Sequence, residues 1–200
     1  MRTNPFLDSF HYIIHLNTWT TIVFDLLLLS GIAAAVWVWR KAPEQRTGQH
    51  IWMFLARSIM GAMWWQQVIW KTPPTYGGLE FWTKEMVKYA SSELQRSFLT
   101  GVVLAHFRFF APQVFFVEVV ISVCLLLGLW SRFGSILGLA MGINLSLGLY
   151  RSPGEWPWTY VFLILVMGLF VSYPPGRSLG LDAMIRREGG SASRLGRFLV

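Results

Sequence analysis

The sequence predicts an all-α integral membrane protein: a bundle of five transmembrane helices, with an amphipathic helical cap between the second and third. Two observations carry this. The 200-residue chain is 54% hydrophobic and only 14% charged, whereas soluble domains run at about 45–50% apolar and about 25% charged. Its 11 tryptophans and 15 phenylalanines would leave a soluble surface covered in apolar patches. The apolar residues are also segmented. Five stretches approach the roughly 20 residues that a helix needs to cross the hydrocarbon layer. Together these exclude an ordinary soluble enzyme, a disordered chain and a nucleic-acid module. The net charge of +7 then belongs to the segments flanking the helices rather than to a nucleic-acid partner.

The first span covers residues 19–39 and is interrupted only by Asp25. The second, 51–70, carries Arg57, Gln66 and Gln67. The third, 111–130, carries Glu118. The fourth and fifth, 133–150 and 157–173, are short but sufficient. Indole rings favour the membrane–water interface, and eight of the 11 tryptophans fall at proposed span ends: Trp19, Trp37, Trp39, Trp52, Trp70, Trp130, Trp156 and Trp158. Punctuation agrees. Lys41 to Arg46 separates the first two spans, Ser131-Arg132 is a tight turn, and Pro157 suits the first turn of a helix. Pro174-Pro175-Gly176 closes the last span.

Residues 71–110 are too long for a turn and too polar to span. Leu79, Trp82, Met86 and Tyr89 recur at three- and four-residue steps with Lys84, Glu85 and Lys88 between them, which predicts an amphipathic helix. A second helix is expected from about residue 93 towards 107. This segment reads as a cap on one membrane face. The chain thus divides into an N-terminal segment (1–50) with its own span, a four-helix membrane domain (51–185) that includes the cap, and a basic tail (186–200).

Five spans place the termini on opposite sides. One side carries nine Lys and Arg: Arg40, Lys41, Arg46, Arg132, Arg177, Arg186, Arg187, Arg194 and Arg197. The other carries seven, five of them within the cap segment. The positive-inside rule therefore predicts an inner-membrane protein with a cytoplasmic C-terminus and an extracytoplasmic N-terminus and cap. The N-terminal stretch lacks the features of a signal peptide, so insertion is expected to rely on the spans themselves.

Lipid gives helices no hydrophobic reason to associate, so small residues must allow close backbone approach. Gly134, Gly138, Gly142 and Ser146 form such a ridge at four-residue spacing. Ser30–Ala34, Gly31–Ala35 and Gly168–Ser172 are weaker versions. Contacts within the bundle are the expected use.

Ionisable groups inside spans are costly and mark functional candidates. There are three: Asp25, Arg57 and Glu118. An Arg57–Glu118 pair is the obvious proposal, but counting residues at about 1.5 Å each leaves a vertical gap of roughly 10 Å. Arg57 alternatively leans to the inner face or meets Asp182. Asp25 and Glu118 fall at similar depth. Gln66, Gln67, Asn144 and Tyr160 join them in the outer half, and His106 and Arg108 lead in from the cap. A polar cluster in the outer half, beneath the cap, is the sharp expectation. The bland one is that neighbouring helices satisfy each group. Two carboxyls in one dry site would hold a proton between them, which suits quinone chemistry.

Other cofactors find less support. Cys124 is the sole cysteine and lies in an apolar run as a buried thiol; it excludes a Cys-ligated iron–sulfur cluster within this chain. His11 and His15 share a helical face, but no third metal ligand is evident. All four histidines lie at or outside span ends, so no transmembrane haem is expected.

From Arg57 onward the chain resembles the DoxX-like family, nearest the DoxD-type small subunit of thiosulfate:quinone oxidoreductase. The matching features are Arg57-Ser58-Ile59-Met60-Gly61, Glu118 followed by Leu-Leu-Leu-Gly-Leu-Trp-Ser-Arg at 125–132, and Gly176-Arg177-Ser178-Leu179-Gly180-Leu181-Asp182. They cover about two-thirds of the chain. The resemblance implies a four-helix membrane core, with the helix at 19–39 as an addition in which Asp25 has no counterpart. It also implies a role in passing electrons from thiosulfate to membrane quinone, with Arg57, Glu118 and Asp182 as positions of interest. The leading expectation is a membrane subunit that binds quinone, with Glu118, Gln67 and Arg108 at the headgroup and other membrane subunits as partners. The rival is a non-catalytic accessory subunit that stabilises a larger respiratory or photosynthetic membrane complex.

Overall fold

A computed structural model describes residues 19–189. His11, His15, the N-terminal stretch and residues 190–200 of the basic tail lie outside the described residues. The described chain is helical, without strands. Eight α-helices run in order: α1 Trp19–Lys41, α2 Gly48–Ile69, α3 Leu79–Tyr89, α4 Glu93–Phe98, α5 Phe107–Leu127, α6 Ser131–Leu149, α7 Pro157–Ser172 and α8 Leu181–Arg187. A π-helical turn, Leu99–Leu104, joins α4 to α5, and 3₁₀ turns sit at Pro43–Gln45 and Pro175–Arg177.

Three helices, α1, α5 and α6, are long and apolar enough to cross a membrane. The α7 helix is apolar but has 16 residues. The α2 helix has 22 residues, but Arg57, Gln66 and Gln67 dilute its hydropathy. Much of the outer surface is large and apolar, including Leu26, Leu29, Ile59, Phe116, Leu165 and Leu169. Such a surface points to a lipid bilayer as its environment.

Local chemistry explains the boundaries. The Thr47 hydroxyl accepts from His50 N–H at 3.4 Å to start α2, and Ser92 does the same for Gln95 in α4 at 3.2 Å. These are ordinary N-caps. Pro157 takes the first turn of α7, where its missing N–H costs nothing. Gly128 ends α5 at φ 62°, a left-handed position open to glycine. A Cβ there would stand 2.8 Å from both Arg57 Cζ and Gly180 Cα. The turn therefore falls at 128–130, and Ser131 is already helical. The predicted second cap helix is shorter than expected, since the π-helical turn takes over at Leu99.

The small-residue ridge of α6 works inside the bundle. A Cβ on Gly134 would meet Cys124 of α5 at 2.6 Å, and one on Gly138 would meet Met167 of α7 at 2.6 Å. Both neighbours can approach because neither glycine has a side chain. In α1, Gly31 lies against the Leu126 carbonyl. Gly168 has nothing within 4 Å, so the Gly168–Ser172 pair faces outward.

The α2 and α5 helices are antiparallel. Arg57 meets Leu125 and Leu126 near one end, Ser122 Oγ donates to the Gly61 carbonyl at 2.8 Å, and Lys71 meets Glu118 beyond the other end of α2. The α3 helix covers the Lys71 end, pressing Met86 onto Gly148 and Leu149 of α6. Ser91 ties this cap down by donating to the Leu147 carbonyl through its hydroxyl at 2.7 Å and its N–H at 2.9 Å.

Candidate functional site

A cavity of about 860 Å³ lies among α2, α5, α6 and α7, beneath α3 and the π-helical turn. Most of its wall is apolar: Met60 and Met63 from α2, Val114 from α5, Met141 and Leu145 from α6, Phe162 and Leu163 from α7, and Trp82 from the cap. Into it project Gln67, Lys71, Thr83, Glu118, Asn144, Glu155 and Tyr160.

Its centre is an ion pair. The Lys71 ammonium donates to Glu118 Oε1, with the two residues 5% and 1% exposed. Because α2 ends at Ile69, Lys71 is free of the helix and its side chain turns back into the bundle. The ammonium also lies 4.4 Å from the centre of the Trp70 ring, a cation–π contact. Two polar atoms on the same wall have no hydrogen-bond partner: Glu118 Oε2 and Trp64 Nε1. Elsewhere on the lining, Tyr160 donates to Glu155 Oε2 at 2.8 Å.

A second cluster of charges lies at the far end of the bundle. Arg57 is fully buried. It donates to the carbonyls of Leu125 at 2.5 Å, Leu126 at 2.8 Å and Leu179 at 3.0 Å. It thus satisfies the last carbonyls of α5, where the helix dipole favours a cation. Asp182 mirrors it on α6. Its carboxylate accepts from Trp130 N–H at 2.7 Å, Ser131 N–H at 2.9 Å and Ser131 Oγ at 2.7 Å. Burial pushes the Asp182 carboxyl above the ordinary range, opposed by those hydrogen bonds and by the nearby Arg57 charge. Together Arg57 and Asp182 clamp the α5–α6 corner.

The structure therefore divides the residues that depth alone grouped. Gln67, Glu118, Asn144 and Tyr160 share the cavity. Arg57 does not reach it and instead holds the corner near Asp182, one of the alternatives weighed for it. Asp25 is not brought to Glu118: α1 contributes nothing to the cavity wall, since it packs with Phe24 against Trp65, Val68 and Phe115 on the opposite side of the bundle. His106 and Arg108 are exposed at the start of α5, and neither lines the cavity. His106 Nδ1 sits 3.1 Å from the Val102 carbonyl instead.

Two residues escaped sequence reasoning. In the sequence Lys71 is one of the five Lys and Arg of the 71–110 cap segment. Its one distinguishing signal is that it directly follows the last residue of the second span. Glu155 has no signal of its own: it stands between Gly154 and Trp156, just ahead of the Pro157 that opens α7. Among the described residues, no three His, Cys, Asp or Glu side chains gather as a metal site.

No family model, curated protein or solved structure matches the chain. The chemistry of the cavity itself is consistent with a small amphiphile: an apolar body against Met, Phe and Trp, and a polar head at Lys71, Glu118 and Trp64.

Proposed function

We propose that this chain is a membrane subunit of a quinone-linked oxidoreductase, of the thiosulfate:quinone oxidoreductase type, and that it binds quinone within its bundle. The observation that carries this reading is the cavity with a buried ion pair on its wall. Its volume of about 860 Å³ falls within the roughly 300–1,000 Å³ of small-molecule sites, which are likewise mostly apolar with a few convergent polar groups.

The DoxX-like resemblance gains support from the layout. The four helices α2, α5, α6 and α7 surround the cavity, while α1 stands outside it as an added helix. In this reading all five long helices span, with the Arg57 charge of α2 held at the end of α5. The cap lies on the extracytoplasmic face, and the Arg57–Asp182 corner and C-terminus lie towards the cytoplasm of the inner membrane. Bound quinone would supply a two-electron, two-proton couple. The chain's own part is to hold the headgroup: Lys71 and Trp64 donate to its oxygens, Glu118 accepts from a ring hydroxyl in the reduced form, and the apolar wall excludes water. Electrons pass through partner subunits.

Tryptophan fluorescence tests this directly, since Trp64, Trp70 and Trp82 line the cavity. Titrating a short-chain quinone into the protein in lipid nanodiscs should quench emission saturably. A purely linear, unsaturable response contradicts the reading.

A second reading is a non-catalytic accessory subunit docked on a larger membrane complex. The outward Gly168, with nothing within 4 Å, and exposed Ser172 favour it, because they would admit a neighbouring helix. Cysteine crosslinking from position 168 to another subunit in native membranes would support it.

A further inference from the structure

We infer that the cavity selects the reduced, hydroxylated ring over the oxidised ring, through Glu118 Oε2 and the Trp64 indole N–H acting on a single hydroxyl. The inference rests on the quinone-binding reading above and deepens it.

Both atoms are buried on the cavity wall without a partner, and their residues are 1% and 3% exposed. They lie at one level. The Ser122–Gly61 hydrogen bond fixes the register of antiparallel α2 and α5. Trp64 is three residues on from Gly61 and Glu118 four residues back from Ser122. Those steps are about 4.5 and 6 Å in the same direction.

The two atoms are chemically opposite. An indole N–H only donates, and an ionised carboxylate only accepts. Since Lys71 occupies Oε1, Oε2 is the carboxylate oxygen left without a partner. A hydroxyl satisfies both atoms, donating to Oε2 and accepting from the indole. A carbonyl accepts from the indole but sets its lone pairs against Oε2 and leaves that oxygen unpaired. Either ring form accepts from the Lys71 ammonium, so Lys71 does not discriminate. Trp64 is a positioning residue that serves both forms, and Glu118 is the residue that tells them apart. The tail leaves sideways: Met63 of α2 and Phe162 of α7 line the cavity and are 50% and 54% exposed, which makes an apolar mouth facing lipid.

The test is isothermal titration calorimetry on the full chain in nanodiscs, under anaerobic conditions, with decylubiquinol and decylubiquinone as probes. A hydrogen bond to a charged acceptor, gained by the hydroxyl alone, predicts that the quinol binds at least about tenfold more tightly. Glu118→Gln should bring the ratio towards one, because an amide offers a donor to a carbonyl as well as an oxygen to a hydroxyl. Trp64→Phe should weaken both ligands and preserve the ratio. Equal affinities in the wild type, or tighter binding of the quinone, would overturn the inference while leaving quinone binding intact. Absence of binding by either probe would overturn both.

Discussion

Replacing Lys71 by methionine removes one partner of a buried ion pair and keeps the length of the side chain. Glu118 is 1% exposed and Lys71 is 5% exposed, and Lys71 is the only hydrogen-bond partner found for the Glu118 carboxylate among the described residues. Breaking such a pair costs about 3–5 kcal/mol, mostly because the remaining charge is left uncompensated in a dry site. Lys71→Met should therefore destabilise the bundle by about that amount. Adding Glu118→Gln to the same chain removes the orphaned charge and should recover most of the loss. Equilibrium unfolding in a fixed detergent, followed by circular dichroism, gives the free energies of the wild type, both single variants and the double variant. A cost below about 1 kcal/mol for Lys71→Met, the range of exposed pairs, would refute the reasoning. So would two single effects that simply add in the double variant, because contacting partners must couple.

The opposite corner predicts different behaviour. Arg57→Gln strips donors from the Leu125, Leu126 and Leu179 carbonyls and should cost about 3 kcal/mol or more in the same unfolding assay, while quinone affinity of the folded fraction stays unchanged. Asp182→Ala removes the cap of α6 and should cost about 2–3 kcal/mol, again without altering binding. Gly138→Ile would drive a branched side chain into Met167 and should separate α6 from α7, read as a stability loss of about 1–3 kcal/mol and a longer spin-label distance between the two helices.

How far the sequence reached follows from what one-dimensional patterns encode. Apolar run length and flanking Trp52, Trp130 and Trp156 report height along the membrane normal, and the helices fall close to where those signals put them. The α6 ridge was legible because four-residue spacing defines a helical face. Depth arithmetic likewise kept Arg57 apart from Glu118, and the structure holds it at the carbonyls of Leu125 and Leu126 instead. Height carries no rotation, however. Asp25 and Glu118 fall at similar depth in the sequence, but α1 presents Phe24, Gly31 and Ala34 to the bundle, and Asp25 never meets the cavity. His106 and Arg108 precede α5 by sequence and turn outward in space. Lys71 was missed for the converse reason: it lies beyond the span, and only the fold-back of its side chain at the end of α2 brings its charge beneath the cap. Asp182 was visible only as a possible partner of Arg57. Its capping role depends on the Pro174–Gly180 segment returning to the α5–α6 turn.

Photoaffinity labelling with an azidoquinone in native membranes, followed by peptide mapping, tests the central claim most directly. The account predicts adducts on the α2 stretch 60–67 and the α5 stretch 114–118, suppressed by excess unlabelled quinone and reduced in Trp64→Phe. Competable labelling confined to α1, or no competable labelling of this chain, would contradict it.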